Sequence, residues 1–270
     1  MTEEREFPAG RDGDGRVLLR VADGVATVTI DRVDRHNAMS FGIMQGLRDA
    51  VAAVRADDDA RVLVLTGAGE RAFCSGADLG GIGDDDDTAH EARRLLADFF
   101  RDLWALGKPT IARVRGVALA GGLGIALACD IVVAAKSASF LQAFARIGLL
   151  PDGGSTWFLP RLVGARRAME LLLLSEPFDA ATALRYGLVN RVVPAAELET
   201  ATAQLARRLA GGPARAHAEI KALVNRSFKT PLPAQLDAEA AAFARCAATR
   251  DFNEGVTAFV GKRKAKFEGR

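Results

Sequence analysis

The sequence lacks a long apolar run. Although 49% of its 270 residues are hydrophobic, no stretch approaches the roughly 20 apolar residues that a membrane-spanning helix needs. Residues 1–15 are polar and charged and have no apolar centre of the kind found in signal peptides. We therefore expect no membrane association, and we interpret residues 1–15 as a flexible N-terminal tail.

Cysteine and surplus charge are also scarce. The three cysteines, Cys74, Cys129 and Cys246, are widely spaced, and none has a second cysteine or a histidine at metal-ligand spacing. This pattern predicts no metal site and favours a reducing, cytoplasmic setting. Lys and Arg outnumber Asp and Glu by only 36 to 34, so the overall charge gives no reason to expect a nucleic-acid partner. Because no activating base can be identified, Cys74 and Cys129 are interpreted as small packing residues.

Hydrophobic periodicity predicts a chain that mixes strands and helices and then becomes mainly helical after Pro151. An Asp23-Gly24 pair between two β-branched runs is typical of a hairpin, and Ser40 is a suitable N-cap for the helix that follows. The predicted strands are 16–22, 25–31, 61–66, 110–114 and 131–135, and the predicted helices are 41–56, 89–106, 165–174, 179–186, 195–209, 214–227 and 232–248.

Two glycine-containing turns carry the strongest functional signal. One opens a small-residue helix at Gly121-Gly122 after a strand pattern, and the other, residues 73–79, follows an earlier strand pattern. Turns of this kind can present backbone N–H groups to an anion, so two N–H groups from separate turns are predicted to meet at one developing oxyanion. A lone Gly-Gly pair is more typical of close helix–strand packing and helix initiation, but the presence of both turns in order favours the functional interpretation.

These segments resemble the enoyl-CoA hydratase/isomerase, or crotonase, superfamily over nearly the whole length, from about residue 17 to residue 270. The resemblance implies an α/β (α+β) fold, with a crotonase-like spiral of ββα repeats in residues 16–200 and a helical trimerisation region in residues 201–270. It also implies an acyl-CoA substrate and a homotrimer or a dimer of trimers. Coenzyme A would enter as part of the substrate, without a separate cofactor. The matching blocks are residues 31–32, 35–38, 72–79, 116–131, 148–154, 183–189, 254–259 and 262–264.

By the same resemblance, Ala77 and Gly121 supply the two N–H donors. His36 is open to a second interpretation as an ordinary surface histidine, and Lys262 as the solvated end of a basic helix. Phe243 and Lys262 would approach the adenine and phosphates from the same or a neighbouring subunit. The residues that the resemblance assigns to the coenzyme A and substrate path are Arg35, His36, Ala38, Ser75, Gly76, Asp78, Leu79, Gly122, Phe144, Pro151, Phe243 and Lys262.

The proton-transferring residues differ from those of the best-known hydratases in this superfamily, which use two glutamates. The corresponding positions hold Gly124 and Phe144, which cannot titrate, so the remaining candidate is Asp152. A single carboxylate is enough to move a double bond, because one base can take a proton from one carbon and return it to another. An apolar pocket would raise its pKa. The alternative is that Asp152 only caps the helix expected to begin at Gly153.

The sequence therefore predicts an enoyl-CoA isomerase in which Asp152 shuttles the proton. Residues 140–164 look most like the isomerase branch of phenylacetate degradation, and simple 3-enoyl-CoA isomerisation, as in fatty acid metabolism, remains open beside it. Two other interpretations also stay open: a 2-enoyl-CoA hydratase that pairs Asp152 with an unusual partner, and a non-catalytic acyl-CoA-binding or RNA-associated homologue.

Overall fold

The structure is a computed structural model that describes residues 3–9, 15–78 and 86–270. The strands in these residues are β1 (Glu3–Pro8), β2 (Arg16–Ala22), β3 (Val25–Asp31), β4 (Val62–Gly67), β5 (Ala72–Cys74), β6 (Thr110–Val114), β7 (Val117–Leu119), β8 (Ile131–Ala135), β9 (Ser139–Leu141), β10 (Phe178–Asp179) and β11 (Arg191–Val193). The helices are α1 (Phe41–Ala56), α2 (Asp86–Trp104), α3 (Gly121–Ala128), α4 (Ser155–Val163), α5 (Ala165–Leu174), α6 (Ala180–Arg185), α7 (Leu198–Ala210), α8 (Ala214–Ser227), α9 (Leu232–Ala247) and α10 (Arg250–Val260).

Two sheets organise the described part of the chain. The larger has the strand order β1-β2-β3-β4-β6-β8-β11, antiparallel from β1 to β3 and parallel from β3 onward. The smaller has the order β10-β9-β7-β5, in which β5, β7 and β9 are parallel. Since β5 and β7 are parallel neighbours, their carboxyl ends lie side by side at one edge of the fold. The two glycine turns follow these two ends, which brings them together.

The core lies on both faces of the larger sheet. Residues of β4 alternate between the faces: Leu63 and Leu65 belong to the cluster that includes residues of α1, α2 and α3, whereas Val62 and Val64 pack with residues of α7. Strands buried on both sides read as continuous apolar runs, and this explains why β4 was recognisable in the sequence.

Several predicted elements are confirmed at their predicted bounds, including β2, β3, β6, β8, α1, α5 and α8. The cap of α1 is confirmed as well, because the Ser40 side chain accepts a hydrogen bond from the backbone N–H of Ile43 at 3.3 Å. Among the described residues, no helix is both long enough and apolar enough to cross a membrane.

Two predictions about the organisation of the chain are wrong. Residues 1–15 do not form a loose tail throughout, since Glu3–Pro8 forms β1 and pairs with β2; its charged sequence is typical of an exposed edge strand, which hydrophobic periodicity does not reveal. The boundary placed between residues 200 and 201 falls inside α7. That helix packs on the larger sheet through residues on both sides of the boundary, Leu198 and Leu205 among them.

Candidate active site

The first glycine turn places one backbone donor. After β5, Ala77 forms a parallel bridge with Met39. The N–H of Met39 donates to the Gly76 carbonyl at 2.8 Å, and the N–H of Asp78 donates to the Met39 carbonyl at 2.9 Å. In a parallel bridge these two bonds flank the paired residue, so the N–H of Ala77 itself points to the side away from Met39. Among the described residues it has no backbone acceptor, and it is available to a ligand.

The second turn places the other donor at the start of α3. Gly121 is the first residue of this helix, whose eight residues are all buried, and the first N–H groups of a helix have no partner within it. The preceding residue, Ala120, has a φ of 45° and a ψ of −117°, a strained conformation for a residue with a side chain. The Ala120 N–H is anchored by the Leu141 carbonyl at 2.8 Å. This strained corner turns the chain from β7 into α3.

The two turns touch because both contain glycines, which have no side chain. Gly76 has a φ of +92°, and a Cβ on it would lie 3.3 Å from the Gly121 nitrogen and 3.2 Å from the Cβ of Ala120. A Cβ on Gly122 would overlap the Cys74 carbonyl at the end of β5. Helix α3 therefore rests directly on the first turn. The close-packing interpretation of the Gly-Gly pair is confirmed. This packing brings the N–H of Gly121 next to the first turn, and its function as an oxyanion donor stays a prediction.

Asp152 lies beside these donors. A Cβ on Gly121 would be 3.8 Å from the Oδ1 atom of Asp152. Although Asp152 as a whole residue is exposed, protein atoms crowd its carboxyl. This partial burial raises the pKa of Asp152, while the positive charge of Arg93 on α2 acts in the opposite direction. The structure therefore agrees with the expectation that the pKa of Asp152 is raised.

The Asp152 side chain does not cap α4. That helix begins at Ser155, its N-cap is Gly154, and no side chain makes the capping hydrogen bond. The Ser155 N–H donates instead to the backbone carbonyl of Asp152 at 3.0 Å. The prediction that a helix begins at Gly153 is therefore two residues early, and the carboxyl group of Asp152 is left for another role.

The two positions that hold glutamates in the best-known hydratases are occupied here by Gly124 and Phe144, which have no titratable group. A Cβ on Gly124 would lie 2.9 Å from the Gly153 carbonyl oxygen and 3.3 Å from the Cζ atom of Phe100. Phe144 is buried in a short 3₁₀ turn, Phe144–Ile147. Phe100, on α2, was not singled out from the sequence, because nothing in a helical pattern tells which apolar residue meets a distant loop.

A neighbouring turn gathers several of the residues assigned to the coenzyme A path. His36 and Asn37 have φ values of 52° and 56°, which turn the chain back toward β5. The Ser75 N–H donates to the His36 carbonyl at 3.1 Å, and the Ser75 hydroxyl reaches the Arg35 carbonyl at 3.5 Å. Arg35, His36 and Ser75 thus lie next to one another, beside the buried Gly76 and Ala38.

The other residues assigned to that path are placed differently. The carboxylate of Asp78 is engaged by the buried Arg32 guanidinium at 2.6 Å, so its side chain braces the turn. Leu79 lies outside the described residues. Phe243 on α9 is 68% exposed, and Lys262, exposed with a φ of 48°, follows α10. Their helices pack on the other C-terminal helices, α9 on α8 and α10 on α9. Pro151 and Phe144 precede Asp152 in the same loop region.

Asn37 is a bracing residue to which sequence reasoning gave no function. Its Oδ1 atom accepts from the Arg32 N–H at 3.0 Å, and its Nδ2 atom donates to the carbonyls of Ala68 and Ala72 at 3.0 and 2.8 Å. Only 1% of the residue is exposed. These bonds tie the His36 turn to both ends of the segment between β4 and β5. A buried Asn in an αL conformation that satisfies three backbone groups could not be distinguished from a surface turn residue by its sequence context.

Asn37→Ala is expected to lower the free energy of unfolding by about 3 kcal/mol, because it leaves buried backbone groups unpaired and because Ala tolerates a positive φ less well than Asn does. Asn37→Gly removes the same hydrogen bonds but tolerates this φ, so it should cost about 1 kcal/mol less. Urea unfolding of the two variants measures both values. A loss below about 0.5 kcal/mol for Asn37→Ala, the range of ordinary surface substitutions, would contradict the bracing role.

Buried cysteines near the site are unsuited to nucleophilic chemistry. Cys74 ends β5 and Cys129 follows α3, and burial raises the pKa of both thiols to about 12. The reactive thiolate is therefore disfavoured at neutral pH. This agrees with the interpretation of both residues as packing residues.

Solved structures share this fold. The enoyl-CoA hydratase of Bacillus anthracis superposes with a TM-score of 0.91 at 32% identity, and the match covers 94% of this chain and 99% of that chain. The fold and its paired turns accordingly define a crotonase-type α/β protein. The family described as enoyl-CoA hydratase/isomerase matches residues 20–270, and this chain belongs to that family.

Two curated relatives carry different activities in their names. A probable enoyl-CoA hydratase of Rhodobacter capsulatus is 41% identical over 255 residues, which are 94% of this chain and 98% of that protein. The 1,2-epoxyphenylacetyl-CoA isomerase of Escherichia coli is 39% identical over 259 residues, again 94% of this chain and 98% of that protein. Membership of the family thus leaves the choice between hydration and isomerisation to the chemistry of the site.

Proposed function

We propose that this protein is an enoyl-CoA isomerase that moves the double bond of a thioester through an enolate. The observation that carries the proposal is the position of Asp152, whose Oδ1 atom lies 3.8 Å from where a Cβ of Gly121 would be. The two positions that hold glutamates in the best-known hydratases are Gly124 and Phe144. One acid next to the oxyanion turns suits a reaction that needs a single proton-transferring group.

The reaction follows from these groups. With a 3-enoyl thioester bound, the Asp152 carboxylate takes a proton from C2, and the electron pair moves toward the carbonyl to give a dienolate with double bonds between C1 and C2 and between C3 and C4; the later protonation of C4 leaves the double bond between C2 and C3. The protonated Asp152 then returns the proton to C4. No atom is gained or lost, and the base is regenerated. A raised pKa helps both halves, since the group must accept a proton and then release it near neutral pH.

The backbone donors stabilise the intermediate. Negative charge develops on the thioester oxygen as C2 loses its proton, and the N–H groups of Ala77 and Gly121 are fixed before the reaction begins. Donors aimed at charge that grows during the reaction stabilise the transition state more than the bound substrate. The packing of Gly76 on Gly121 keeps this spacing small.

The coenzyme A moiety is proposed to follow the surface formed by Arg35, His36 and Ser75, where a guanidinium can pair with phosphate. Phe243 and Lys262 would complete this path from a neighbouring subunit of a trimer or a dimer of trimers. Large apolar side chains on the C-terminal helices support such an interface, since Phe259 and Val260 are 86% and 77% exposed in the single chain. Unpaired cysteines support a cytoplasmic location.

A ring-derived thioester is the finer proposal for the acyl group. The relative from Escherichia coli is named for 1,2-epoxyphenylacetyl-CoA, and the segment that contains Asp152 is the one that looks most like the isomerases of phenylacetate degradation. A straight-chain 3-enoyl-CoA is the simpler alternative substrate. Its isomerisation, like that of a ring-derived thioester, needs a base and an oxyanion site.

Hydration is the second candidate, favoured by the names of several relatives, including the crotonyl-CoA hydratase of Syntrophomonas wolfei, 37% identical over 254 residues. A hydratase must position water as well as move a proton, and Asp152 would need a partner for that task. The third candidate, an acyl-CoA-binding homologue without turnover, would keep the donors and lack productive proton transfer.

A thioester panel distinguishes the three. The wild-type protein is incubated in D₂O with a straight-chain 3-enoyl-CoA, crotonyl-CoA and 1,2-epoxyphenylacetyl-CoA, and the products are followed by mass spectrometry and by the NMR position of the double bond. We expect 3-enoyl-CoA to become 2-enoyl-CoA faster than crotonyl-CoA gains water. Faster formation of the 3-hydroxy product would instead identify a hydratase. Tight binding without product or deuterium exchange on any substrate would identify a silent binding protein.

A further inference from the structure

We infer that Gly124 is a positioning residue for proton transfer: its missing side chain lets the loop that carries Asp152 lie directly on α3, and this contact holds the carboxyl beside the oxyanion turns. The inference rests on the proposed function, because it concerns the same Asp152. It adds a residue that touches no substrate and acts through the loop.

The contact is made along one face of α3. Gly121 and Gly124 are three residues apart, so they share a face of the helix and are separated by about one turn. The Gly121 end faces the Asp152 carboxyl, with 3.8 Å between Oδ1 and the place of a Cβ. The Gly124 end faces the next residue of the loop, where a Cβ would be 2.9 Å from the Gly153 carbonyl oxygen. The loop thus runs along this glycine face.

Phe100 closes the loop from the other side. A Cβ on Gly153 would lie 2.8 Å from the Cζ atom and 2.9 Å from the Cε2 atom of the Phe100 ring. The ring is only 7% exposed and packs edge-on against Phe99 at a centroid distance of 5.3 Å. The peptide after Asp152 is therefore held between α3 and α2, and it can move only outward.

A methyl group at position 124 would break this arrangement. The nearest atom is a backbone oxygen, which cannot rotate away as the end of a flexible side chain can, so the loop itself must shift. The second nearest atom, Cζ of Phe100, would be 3.3 Å away and blocks the sideways route. Because displacement of a reacting group by about 1 Å can cost about 10²-fold in rate, the shift is expected to affect proton transfer far more than binding.

The test is Gly124→Ala, with Gly255→Ala as its matched control. Gly255 is also inside a helix, α10, but a Cβ there meets the Phe267 ring at an ordinary 3.5 Å. We expect Gly124→Ala to lower kcat about 100-fold while KM for the thioester stays within about twofold, and Gly255→Ala to leave both constants near wild type. A residue that only supports the fold would change KM, stability and kcat together.

A double variant assigns the loss to Asp152. On the Asp152→Asn background, Gly124→Ala should lower kcat no further, because the group that it displaces is already inactive. Equal turnover of Gly124→Ala and Gly255→Ala, with Asp152→Asn inactive, would overturn this inference and leave the proposed function standing. Full turnover of Asp152→Asn would overturn the proposed function itself, and this inference with it.

Phe100→Leu keeps the inference testable if Gly124→Ala does not fold. It removes the ring atoms that confine Gly153 and leaves position 124 untouched, so it should lower kcat about 10-fold, again with KM unchanged and with no further effect on the Asp152→Asn background. Wild-type kcat in Phe100→Leu, in a folded protein, would overturn the role of this contact.

Discussion

Asp152→Asn is expected to lower kcat for double-bond migration by about 10²- to 10⁴-fold, the range typical of losing a general acid–base group. An amide of the same shape can neither take a proton from C2 nor return one to C4. KM should change little, because the donors at Ala77 and Gly121 remain in place. Stopped-flow or steady-state assays on 3-enoyl-CoA measure the change, and a thermal melt confirms that the variant is folded.

The pH dependence provides a second readout of the same group. The base must be ionised to act, so kcat/KM falls as the pH drops through the pKa of Asp152. Partial burial raises this pKa, so the limb lies at higher pH than it would for an ordinary aspartate. Arg93 is the charged side chain that acts against this shift; Arg93→Gln should therefore move the limb to higher pH, more so at low salt. If the limb persists in the residual activity of Asp152→Asn, it belongs to another group.

Ala77→Pro is expected to lower kcat by about 10²- to 10³-fold, because proline has no N–H and so removes one oxyanion donor. The substitution suits this site. The two bridge bonds are made by Gly76 and Asp78 rather than by Ala77, and a glycine before proline is the residue least restricted by it. Arg35 and His36, which are proposed to bind the nucleotide, are unchanged in this variant, so binding of free coenzyme A should persist.

The matched variant is Ala77→Gly, which keeps the N–H and removes only a methyl group. It should retain turnover within a few-fold of wild type. Comparable losses in Ala77→Pro and Ala77→Gly would mean that side-chain packing, and not the backbone donor, matters at this position. Free coenzyme A affinity, measured by calorimetry, separates loss of catalysis from a collapsed site.

Much of this site could be predicted because its parts are local. A strand, a Gly turn and a small-residue helix occur within residues 117–128, and a capping serine precedes a helix of regular period at 41–56. The sequence itself shows that Gly124 and Phe144 have no titratable group and that residue 152 is an aspartate.

The contacts that join these parts could not be predicted in the same way. That Phe100 confines Gly153, or that Asn37 ties together two loop ends, depends on pairs of residues more than 30 positions apart, and periodicity carries no information about such pairs. The edge strand β1 was missed because its charges resemble those of a solvated tail. The true start of α4 was missed because Gly153 and Gly154 both have positive φ and delay the helix to Ser155.

Main-chain donors have a practical consequence. Under the proposed function, the groups that bind the thioester oxygen are backbone N–H groups, so they stay in place when the Asp152 side chain is replaced. The immobilised Asp152→Asn variant is therefore expected to retain, from a metabolite extract, the acyl-CoA species that fit and to release them unreacted for identification.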